Sequence, residues 1–176
     1  MPFEQVLSGA REYAEMYIDE LSDAECREVL SRSHIGRLAC SHNHQPYVIP
    51  TNFAFDGRFI YSFATLGQKV EWMRANPLVC FEVDEVASEY HWTSIVIYGR
   101  YEELADKPEF ERDRIEAYAS LSKRAVWWEP AYIAQGQRDE PRSLVPVFFR
   151  IHINKMTGHR ATSDSQDENG LTPIPG

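Results

Sequence analysis

Residues 46–84 carry a run of local signals that leaves this chain few choices of fold. The run reads as a strand, a turn at Asp56-Gly57, a returning strand, a loop of small residues and a short helix. Asp-Gly is a preferred sequence for a tight hairpin turn because both positions tolerate positive φ angles. Asn76-Pro77 ends the helix, since proline cannot continue it, and another strand follows. The run therefore predicts an antiparallel hairpin, a short helix over residues 67–75 and a third strand.

One lysine, Lys69, lies in the first turn of that short helix. A helix N-terminus presents free N–H groups and the positive end of the helix dipole, and both favour a bound anion. The hydroxyl residue Thr65 and Gly67 precede the lysine and leave room for a ligand. We interpret residues 65–69 as a candidate phosphate site, although a lysine on an exposed helix is more often a solvated surface charge.

The rest of the chain shows further strand and helix patterns. A capping box at Ser22 and Glu25 predicts a helix that continues to about Arg32. A charged helix is predicted over residues 108–123, and its apolar members are Phe110, Ile115, Tyr118, Ala119 and Leu121. The predicted strands are residues 35–41, 47–55, 58–65, 78–86, 91–104 and 145–154. Strands joined by hairpins, with helices at the margins, predict a mainly β fold with flanking helices, an antiparallel six-stranded β-barrel.

The length of 176 residues suits a single domain with a proper core. We expect an N-terminal arm or weak helix over residues 1–21 and the barrel over residues 22–160. The composition then turns to Ser, Asp, Gly and Pro, so a flexible tail is predicted over residues 161–176.

Charge and cysteine content narrow the class of partner and the compartment. The net charge is -9, so the chain lacks the basic face that a nucleic acid or an anionic membrane surface requires. No apolar run approaches the ~18 residues of a membrane span. Three widely spaced cysteines and the absence of a secretory signal favour free thiols in a reducing compartment. We expect a soluble, cytoplasmic protein with no nucleic acid or membrane partner.

His42 and His44 form an H-x-H pattern, which occurs in some metal sites. No cysteine or carboxylate cluster stands beside them to complete a ligand set. A solvent-exposed turn is therefore the favoured interpretation, and no metal site is predicted.

Seven short motifs follow one another along the chain. They are IGRLA (residues 35–39), PYVIPTNF (46–53), GQK (67–69), NPLVCFEVD (76–84), SIVIYGR (94–100), WWEP (127–130) and TG (157–158). In this order and spacing the chain resembles the FMN-binding split-barrel superfamily of pyridoxamine 5'-phosphate oxidases. It is most similar to the branch that includes the 5-nitroimidazole-resistance proteins and other flavin-nucleotide-binding proteins. The resemblance covers residues 22–160 and implies that the antiparallel barrel is a split barrel.

The resemblance implies a homodimer that holds FMN in a cleft between its two subunits. The first strand of the hairpin would run beside the isoalloxazine ring and contact it largely through its backbone. The returning strand would supply hydroxyl groups toward the ribityl chain and the phosphate, and the long strand would contribute from the partner subunit. The implied cofactor-binding residues are Val48, Ile49, Pro50, Thr51, Asn52, Tyr61, Ser62, Phe63, Ala64, Thr65, Gln68, Lys69, Trp92, Thr93 and Ser94.

Two positions depart from the pattern of the family. Many relatives have two cations at the helix start, whereas this chain has Gln68 followed by Lys69, so the phosphate would lose one ion pair. Many nitroimidazole-resistance relatives place a histidine two residues after the tyrosine that matches Tyr61, and this chain has Phe63 there. The resemblance therefore implies flavin binding more firmly than reduction of nitroimidazoles.

A flavin would supply the redox chemistry while the chain positions it. We expect an FMN-dependent oxidoreductase that passes electrons from NAD(P)H through FMN to a small-molecule acceptor, with no catalytic residue assigned. Two alternatives stay open. One is a flavin-binding protein for storage, stress protection or sensing that has no turnover. The other is a relative that binds haem or a deazaflavin in the same cleft, for which His159 would be the candidate axial ligand of haem.

Overall fold

The computed structural model describes residues 15–123 and 146–163. The strands are β1 (Met16–Glu20), β2 (Ile35–His42), β3 (Gln45–Asn52), β4 (Ala54–Phe55), β5 (Phe59–Ala64), β6 (Leu78–Ser88), β7 (His91–Glu103) and β8 (Val147–Ser163), and the helices are α1 (Asp23–Arg32), α2 (Gln68–Ala75) and α3 (Glu111–Ser122). All strand pairs are antiparallel and follow the order β3-β2-β6-β7-β8-β5-β4, with β1 added to the far end of β8. Among these residues, no helix combines the length and apolar character needed to cross a lipid bilayer.

The sheet curls so that its two ends meet without forming a strand ladder. β3 and β4 are the end strands. The Ser62 hydroxyl on β5 donates a 2.7 Å hydrogen bond to the Asn52 carbonyl at the end of β3. The same hydroxyl lies 3.1 Å from the Thr51 hydroxyl. Side-chain contacts thus join the ends where a closed barrel would have paired strands. The predicted mainly β split barrel is confirmed, with eight strands in the described ranges instead of six.

One apolar core fills the barrel, and α1 closes part of it. α1 buries Cys26, Val29 and Leu30, which lie on one face of the helix. The predicted capping box is also present, because the Ser22 and Glu25 side chains each accept a hydrogen bond from the other residue's N–H group. The largest fully buried members from the strands and from the break between β3 and β4 are Leu38, Phe53, Ile60, Phe81, Ile95, Ile97, Phe149 and Ile151.

Gly99 lies where β7 and β8 approach too closely for a side chain. A Cβ atom on this residue would lie 2.4 Å from Ile151 Cγ2 and 2.7 Å from the carbonyl oxygen of His152. The backbone carbonyl cannot rotate away as a side chain can. We therefore expect Gly99→Ala to lower the free energy of unfolding by about 2 kcal/mol, measured by urea unfolding.

The control for this prediction is Arg112→Ala on α3, away from the contact of β7 with β8. The Arg112 side chain is 89% exposed, so its removal should change the free energy of unfolding by no more than about 0.5 kcal/mol. Equal losses in the two variants would contradict the steric explanation.

α3 packs on the outside of the barrel against β4, β5 and β8. Its buried residues are Ala117 and Leu121. The predicted apolar face was wrong at Ile115, Tyr118 and Ala119, which are exposed. The small Ala117 side chain lets the helix approach the sheet closely, so the contact face is set by shape and not by the largest apolar residues.

Three elements differ from their predicted limits. Residues 16–20 form β1, where an arm or weak helix is predicted, because they pair with the end of β8. β8 continues to Ser163, so the first residues of the predicted tail belong to the sheet. The predicted strand over residues 47–55 breaks at Phe53, whose N–H group binds the His34 carbonyl. The WWEP motif lies outside the described residues.

The hairpin at Asp56-Gly57 is present, but its turn spans residues 56–59 instead of two residues. The Asp56 carboxylate accepts hydrogen bonds from the N–H groups of Arg58 at 2.7 Å and Phe59 at 2.6 Å. Only Gly57 has a positive φ angle in this turn, of 94°. The hydrogen bonds that the Asp56 side chain accepts therefore shape the turn, and the Asp56 backbone does not adopt the left-handed conformation.

Candidate functional site

The N-terminus of α2 is open, whereas that of α1 is closed by its capping box. Gly67 is the N-cap residue of α2, and no side chain of the described residues caps the helix. Within residues 15–123 and 146–163, the N–H groups of Gln68 and Lys69 have no hydrogen-bond acceptor. A Cβ atom on Gly67 would meet nothing within 4 Å, so the described residues leave the space beside Gly67 open. Two free donors and the positive end of the helix dipole thus border open space.

Lys69 is half-buried and lies close to Cys40 of β2. Burial lowers the pKa of Lys69, while the nearby Cys40 acts in the opposite direction. In the part of the chain that the structure describes, no carboxylate shifts the pKa of this ammonium group. The arginines Arg27, Arg32 and Arg37, by contrast, each pair with a carboxylate. A half-buried cation without an anionic partner is costly, so this position suits an anionic ligand.

β3 borders the open side of the barrel with its backbone. Val48 and Pro50 face outward, and Val48 is 63% exposed. Ile49 and Thr51 face the interior, where Ile49 packs on the core. Pro50 lacks an N–H group, which an end strand tolerates because one of its sides needs no ladder donor. The strand over residues 48–52 is therefore accessible from the outside, as the resemblance implies.

β5 divides the predicted residues of the returning strand between two faces. Ser62 and Ala64 face the barrel interior, whereas Tyr61 and Phe63 lie beneath α3. Ser62 is fully buried, and its hydroxyl already holds the Asn52 carbonyl. The structure thus gives Ser62 a role in closing the barrel, and its contact with a cofactor stays a prediction.

Tyr61 is also fully buried. Burial raises the pKa of Tyr61 to about 12, with Asp56 acting in the same direction and Arg150 against it. Thr65 differs, because it is exposed beside the start of α2. Among the predicted hydroxyl groups, that of Thr65 therefore has direct access to a ligand at Lys69.

Trp92, Thr93 and Ser94 lie at the start of β7, far from α2. α2 leads into the first residue of β6, Leu78, whereas Trp92 pairs with Val86 near the other end of β6. Eight residue steps of strand, roughly 26 Å, separate these two positions. One chain therefore does not bring Trp92, Thr93 and Ser94 to Lys69.

Trp92 and Thr93 instead line a groove of about 510 Å³ near the β6–β7 hairpin. His91 and Arg160 supply polar groups to the same groove. Trp92 and Ser94 lie on the outward face of β7, since the inward face carries Ile95 and its alternate neighbours. The strands β3, β2, β6 and β7 are paired in this order. Their register places Val48 of β3 and Trp92 of β7 on the same outward side of the sheet.

Sequence reasoning missed three aromatic residues around Lys69. The ring centroids of Tyr47 and Trp72 are 5.8 Å apart, and those of His42 and Trp72 are 5.9 Å apart. Cys40 and Tyr47 are paired in the β2–β3 ladder. This pairing places the three aromatic residues next to Cys40, which lies close to Lys69. The available signal was that Trp72 follows Lys69 by three residues and so shares a side of the helix.

A second groove, of about 420 Å³, lies between α3 and the turn over residues 56–59. Arg150 dominates it and forms ion pairs with Glu102 at 2.5 Å and Asp113 at 3.1 Å. His152 lies 2.7 Å from the same Glu102 carboxylate. The Arg150 guanidinium also lies 4.6 Å from the centre of the Phe59 ring. Because these charges compensate one another, the cluster anchors α3 to the barrel.

The histidines do not form a metal centre within the described ranges. No group of three histidine, cysteine or carboxylate side chains there could hold a metal ion. His42 packs on Trp72, and His44 lies in the β2–β3 turn with a φ angle of 64°. His159, the candidate haem ligand, is exposed on β8 opposite Ser94.

Comparison with known proteins gives a family and close relatives. The sequence model of a family described as pyridoxamine 5'-phosphate oxidase matches residues 22–160. An uncharacterized protein of Rhizobium meliloti (strain 1021) is 36% identical over 146 residues, which cover 83% of this chain and 97% of that protein.

Solved structures show the same fold. The crystal structure of a FAD-binding protein from Mesorhizobium loti is 40% identical, with a TM-score of 0.69 over 85% of this chain and 100% of that chain. A structure from Bacteroides thetaiotaomicron, whose name connects it with 5-nitroimidazole antibiotic resistance, is 14% identical. Its TM-score is 0.57 over 86% of this chain and 95% of that chain, and this likeness is one of fold alone.

Proposed function

Since this chain belongs to the pyridoxamine 5'-phosphate oxidase family, we propose that it binds a flavin nucleotide at the start of α2. The observation that carries the proposal is Lys69, a half-buried cation with no carboxylate partner among the described residues, beside two free N–H groups. A flavin phosphate would supply the missing anion. The name of the 40% identical protein from Mesorhizobium loti, which states that it binds FAD, supports a flavin as the ligand.

The FMN unit is the part of the ligand that this site addresses. FMN and FAD share the isoalloxazine ring, the ribityl chain and the first phosphate, and the resemblance in the sequence implies FMN. The phosphate would accept hydrogen bonds from the N–H groups of Gln68 and Lys69, the Lys69 ammonium group and the Thr65 hydroxyl. The ring would then lie along the exposed backbone of residues 48–52.

We further propose that two copies of the chain form a homodimer through the outward face of β3, β2, β6 and β7. Among the described residues, no helix covers this face. Exposed apolar residues grouped on such a face are typical of an interface, and here they lie on both sides of an ion-pair cluster that Arg37 forms with Glu82 and Asp84. The large apolar residues exposed on it, each by 53 to 67%, are Ile35, Val48, Leu78, Val86 and Tyr98.

The distribution of the implied flavin contacts supports this dimer. Val48 and Pro50 lie at one edge of the outer face, and Trp92 and Ser94 lie at the tip of its longest hairpin. A two-fold axis through the face would bring Trp92 of the partner subunit toward the β3 of the first chain. Each flavin would then be held by α2 and β3 of one subunit and by the β6–β7 hairpin of the other.

The proposed reaction is electron transfer from NAD(P)H through the flavin to a small-molecule acceptor. The bound flavin supplies the redox chemistry. The chain binds the phosphate, aligns the ring against β3 and, through the partner's hairpin, limits access to it. None of these tasks requires an acid or base from the protein, which fits the absence of an assigned catalytic residue.

The test of binding uses purified protein and two ligands that differ only in the phosphate. Mass spectrometry of the small molecule released on denaturation should detect a flavin nucleotide. Titration of flavin-free protein should show FMN binding at least tenfold tighter than riboflavin, since charged hydrogen bonds are worth roughly 1.5–3 kcal/mol. A chain that binds neither ligand would overturn the proposed function. Loss of flavin colour with NADH or NADPH, reversed by an added acceptor, would distinguish an enzyme from a passive binder.

We expect Tyr98→Asp to raise the dissociation constant of the dimer at least tenfold. The change replaces an apolar ring of the proposed interface by a carboxylate, which association would have to remove from water. Sedimentation velocity over a concentration series measures the constant, and retention of flavin should fall with the dimer.

The matched control is Tyr118→Asp on α3. Tyr118 and Tyr98 have the same exposed fraction, 53%, but Tyr118 lies on the other side of the barrel. Its substitution should leave the dimer unchanged. A monomeric wild-type protein, or equal effects of both substitutions, would show that the outer face is not the interface.

A further inference from the structure

The aromatic cluster of His42, Tyr47 and Trp72 has no role in the flavin site as described. All three residues are half-buried, so each retains an accessible part. Trp72 is the central member, since its ring centroid lies 5.8 Å from that of Tyr47 and 5.9 Å from that of His42. The cluster lies at the β2–β3 end of the barrel, next to one side of α2.

The cluster is adjacent to the proposed phosphate position. Trp72 follows Lys69 by three residues, and residues at this spacing lie roughly 5–6 Å apart on one side of a helix. Tyr47 is the ladder partner of Cys40, and Cys40 and Lys69 are near enough for each to shift the pKa of the other. Both strands and the helix therefore bring aromatic rings to the cation that would hold the flavin phosphate.

The cluster also lies away from the position proposed for the isoalloxazine ring. That ring would lie on the outward side of β3, beside Val48 and Pro50, whereas Tyr47 faces inward with Ile49 and packs on the core. A ligand that continues past the phosphate, on the side opposite its flavin ring, would reach the aromatic residues. FMN ends at its phosphate, and FAD continues into a second phosphate and an adenosine.

We propose that Trp72, with Tyr47 and His42, forms a stacking site for the adenine ring of FAD, and that the chain selects FAD over FMN by this contact. The proposal rests on the proposed flavin binding. An adenine ring is a flat aromatic surface, and the exposed part of an indole ring is a suitable partner for stacking. The tilted and edge-on arrangement of the three rings supports Trp72 from two sides, which limits the entropy lost when a base stacks on it.

The experiment measures the affinities of flavin-free protein for FAD and for FMN by calorimetric titration. Wild-type protein should bind FAD about tenfold more tightly than FMN, the usual size of one aromatic–base stack. Trp72→Ala should remove this preference and leave the affinity for FMN unchanged. Trp72→Phe retains a ring and should keep most of the preference. His42→Ala, a smaller change at the edge of the cluster, should reduce the preference.

Each outcome has a distinct meaning. No binding of either flavin would overturn the proposed function, and the adenine site with it. Binding of both flavins with equal affinity would overturn the adenine site alone. The adenine site would also be overturned if Trp72→Ala weakened both flavins equally, because a packing role at the end of the barrel would act on both. Tyr118→Ala, which removes an exposed ring from α3, is the control and should change neither affinity.

Discussion

Replacing Lys69 with methionine should weaken the binding of FMN about 30- to 100-fold and leave the binding of riboflavin unchanged. Methionine keeps the apolar stem that is half-buried near Cys40 and removes only the ammonium group. The lost contact is a charged hydrogen bond to phosphate in a partly desolvated position, worth roughly 2–3 kcal/mol. Because riboflavin has no phosphate, the difference between the two ligands isolates the contribution of the charge. Fluorescence titration of flavin-free protein measures both affinities.

The control for this substitution is Lys107→Met. Lys107 is exposed before α3 and lies 4.0 Å from the Glu109 carboxylate, and it has no place near α2. Its loss should leave both affinities unchanged. If Lys69→Met weakened riboflavin as much as FMN, the lysine would act on the fold of the site, and the phosphate would lie elsewhere.

Replacing Arg150 with methionine should lower the free energy of unfolding by about 3 kcal/mol. The Arg150 side chain is 14% exposed and holds two carboxylates, Glu102 and Asp113, against the barrel. Removal of Arg150 leaves the Glu102 and Asp113 carboxylates, whose side chains are 35% and 27% exposed, partly shielded from water and without their cation, which is more costly than loss of a fully exposed pair. Methionine keeps most of the volume of the aliphatic stem and removes the guanidinium group, together with its contact with the Phe59 ring. Urea unfolding near pH 7 measures the loss.

The matched control is Arg112→Met on the same helix that Arg150 anchors. The Arg112 side chain is 89% exposed and pairs with Glu116 one turn away. Such a pair contributes roughly 0.5 kcal/mol or less. A second substitution, Glu102→Gln, should restore part of the stability that Arg150→Met removes. Equal losses of stability from Arg112→Met and Arg150→Met would show that the burial of Arg150 does not increase its contribution to the free energy of unfolding.

The same cluster gives the stability a defined dependence on pH. Burial acts to raise the pKa of Glu102, but its hydrogen bonds to His152 and Arg150 outweigh burial, so the pKa lies below its ordinary value. A carboxylate with a lowered pKa stabilises the fold fully above its unfolded pKa, and this contribution is lost as pH falls through the folded pKa. Arg150→Met should therefore flatten the acid side of the stability profile, below about pH 4.5.

The elements that could be predicted from the sequence are those specified by neighbouring residues. Ser22 and Glu25 fix the start of α1, and Gly67 and Asn76 fix the limits of α2, because each signal acts within a few residues. β1 could not be predicted, since all of its residues are exposed and its sequence has no apolar alternation. It is a strand because the end of β8 offers it a partner.

The second half of β8 could not be predicted from neighbouring residues either. Its sequence contains Gly158 among charged residues, which does not indicate a strand. The structure needs a glycine there, because a Cβ atom would lie 2.6 Å from the Cys26 sulfur of α1. Pairing with β7 and packing against α1 thus decide the conformation, and neither contact can be read locally.

The residues of the candidate site also differ in whether the sequence alone could predict their positions. The position of Lys69 at an open helix start follows from a few adjacent residues, and it was predicted. The burial of Tyr61 and Ser62 on opposite faces of β5 depends on α3 and on the curl of the sheet. The approach of Tyr47 to Trp72 depends on strand register and helix docking together. Distant contacts of this kind leave no signal in the chain until the fold is known.

β3 carries prolines at two positions, Pro46 and Pro50, and both lie on an end strand of the sheet. A free strand edge normally invites strands of other molecules to add to it, which is how many β proteins aggregate. A proline offers no N–H donor to an incoming strand, so any such ladder would be interrupted twice. Although no second strand of the described residues covers this edge of β3, its two prolines therefore oppose edge-to-edge growth into fibrils.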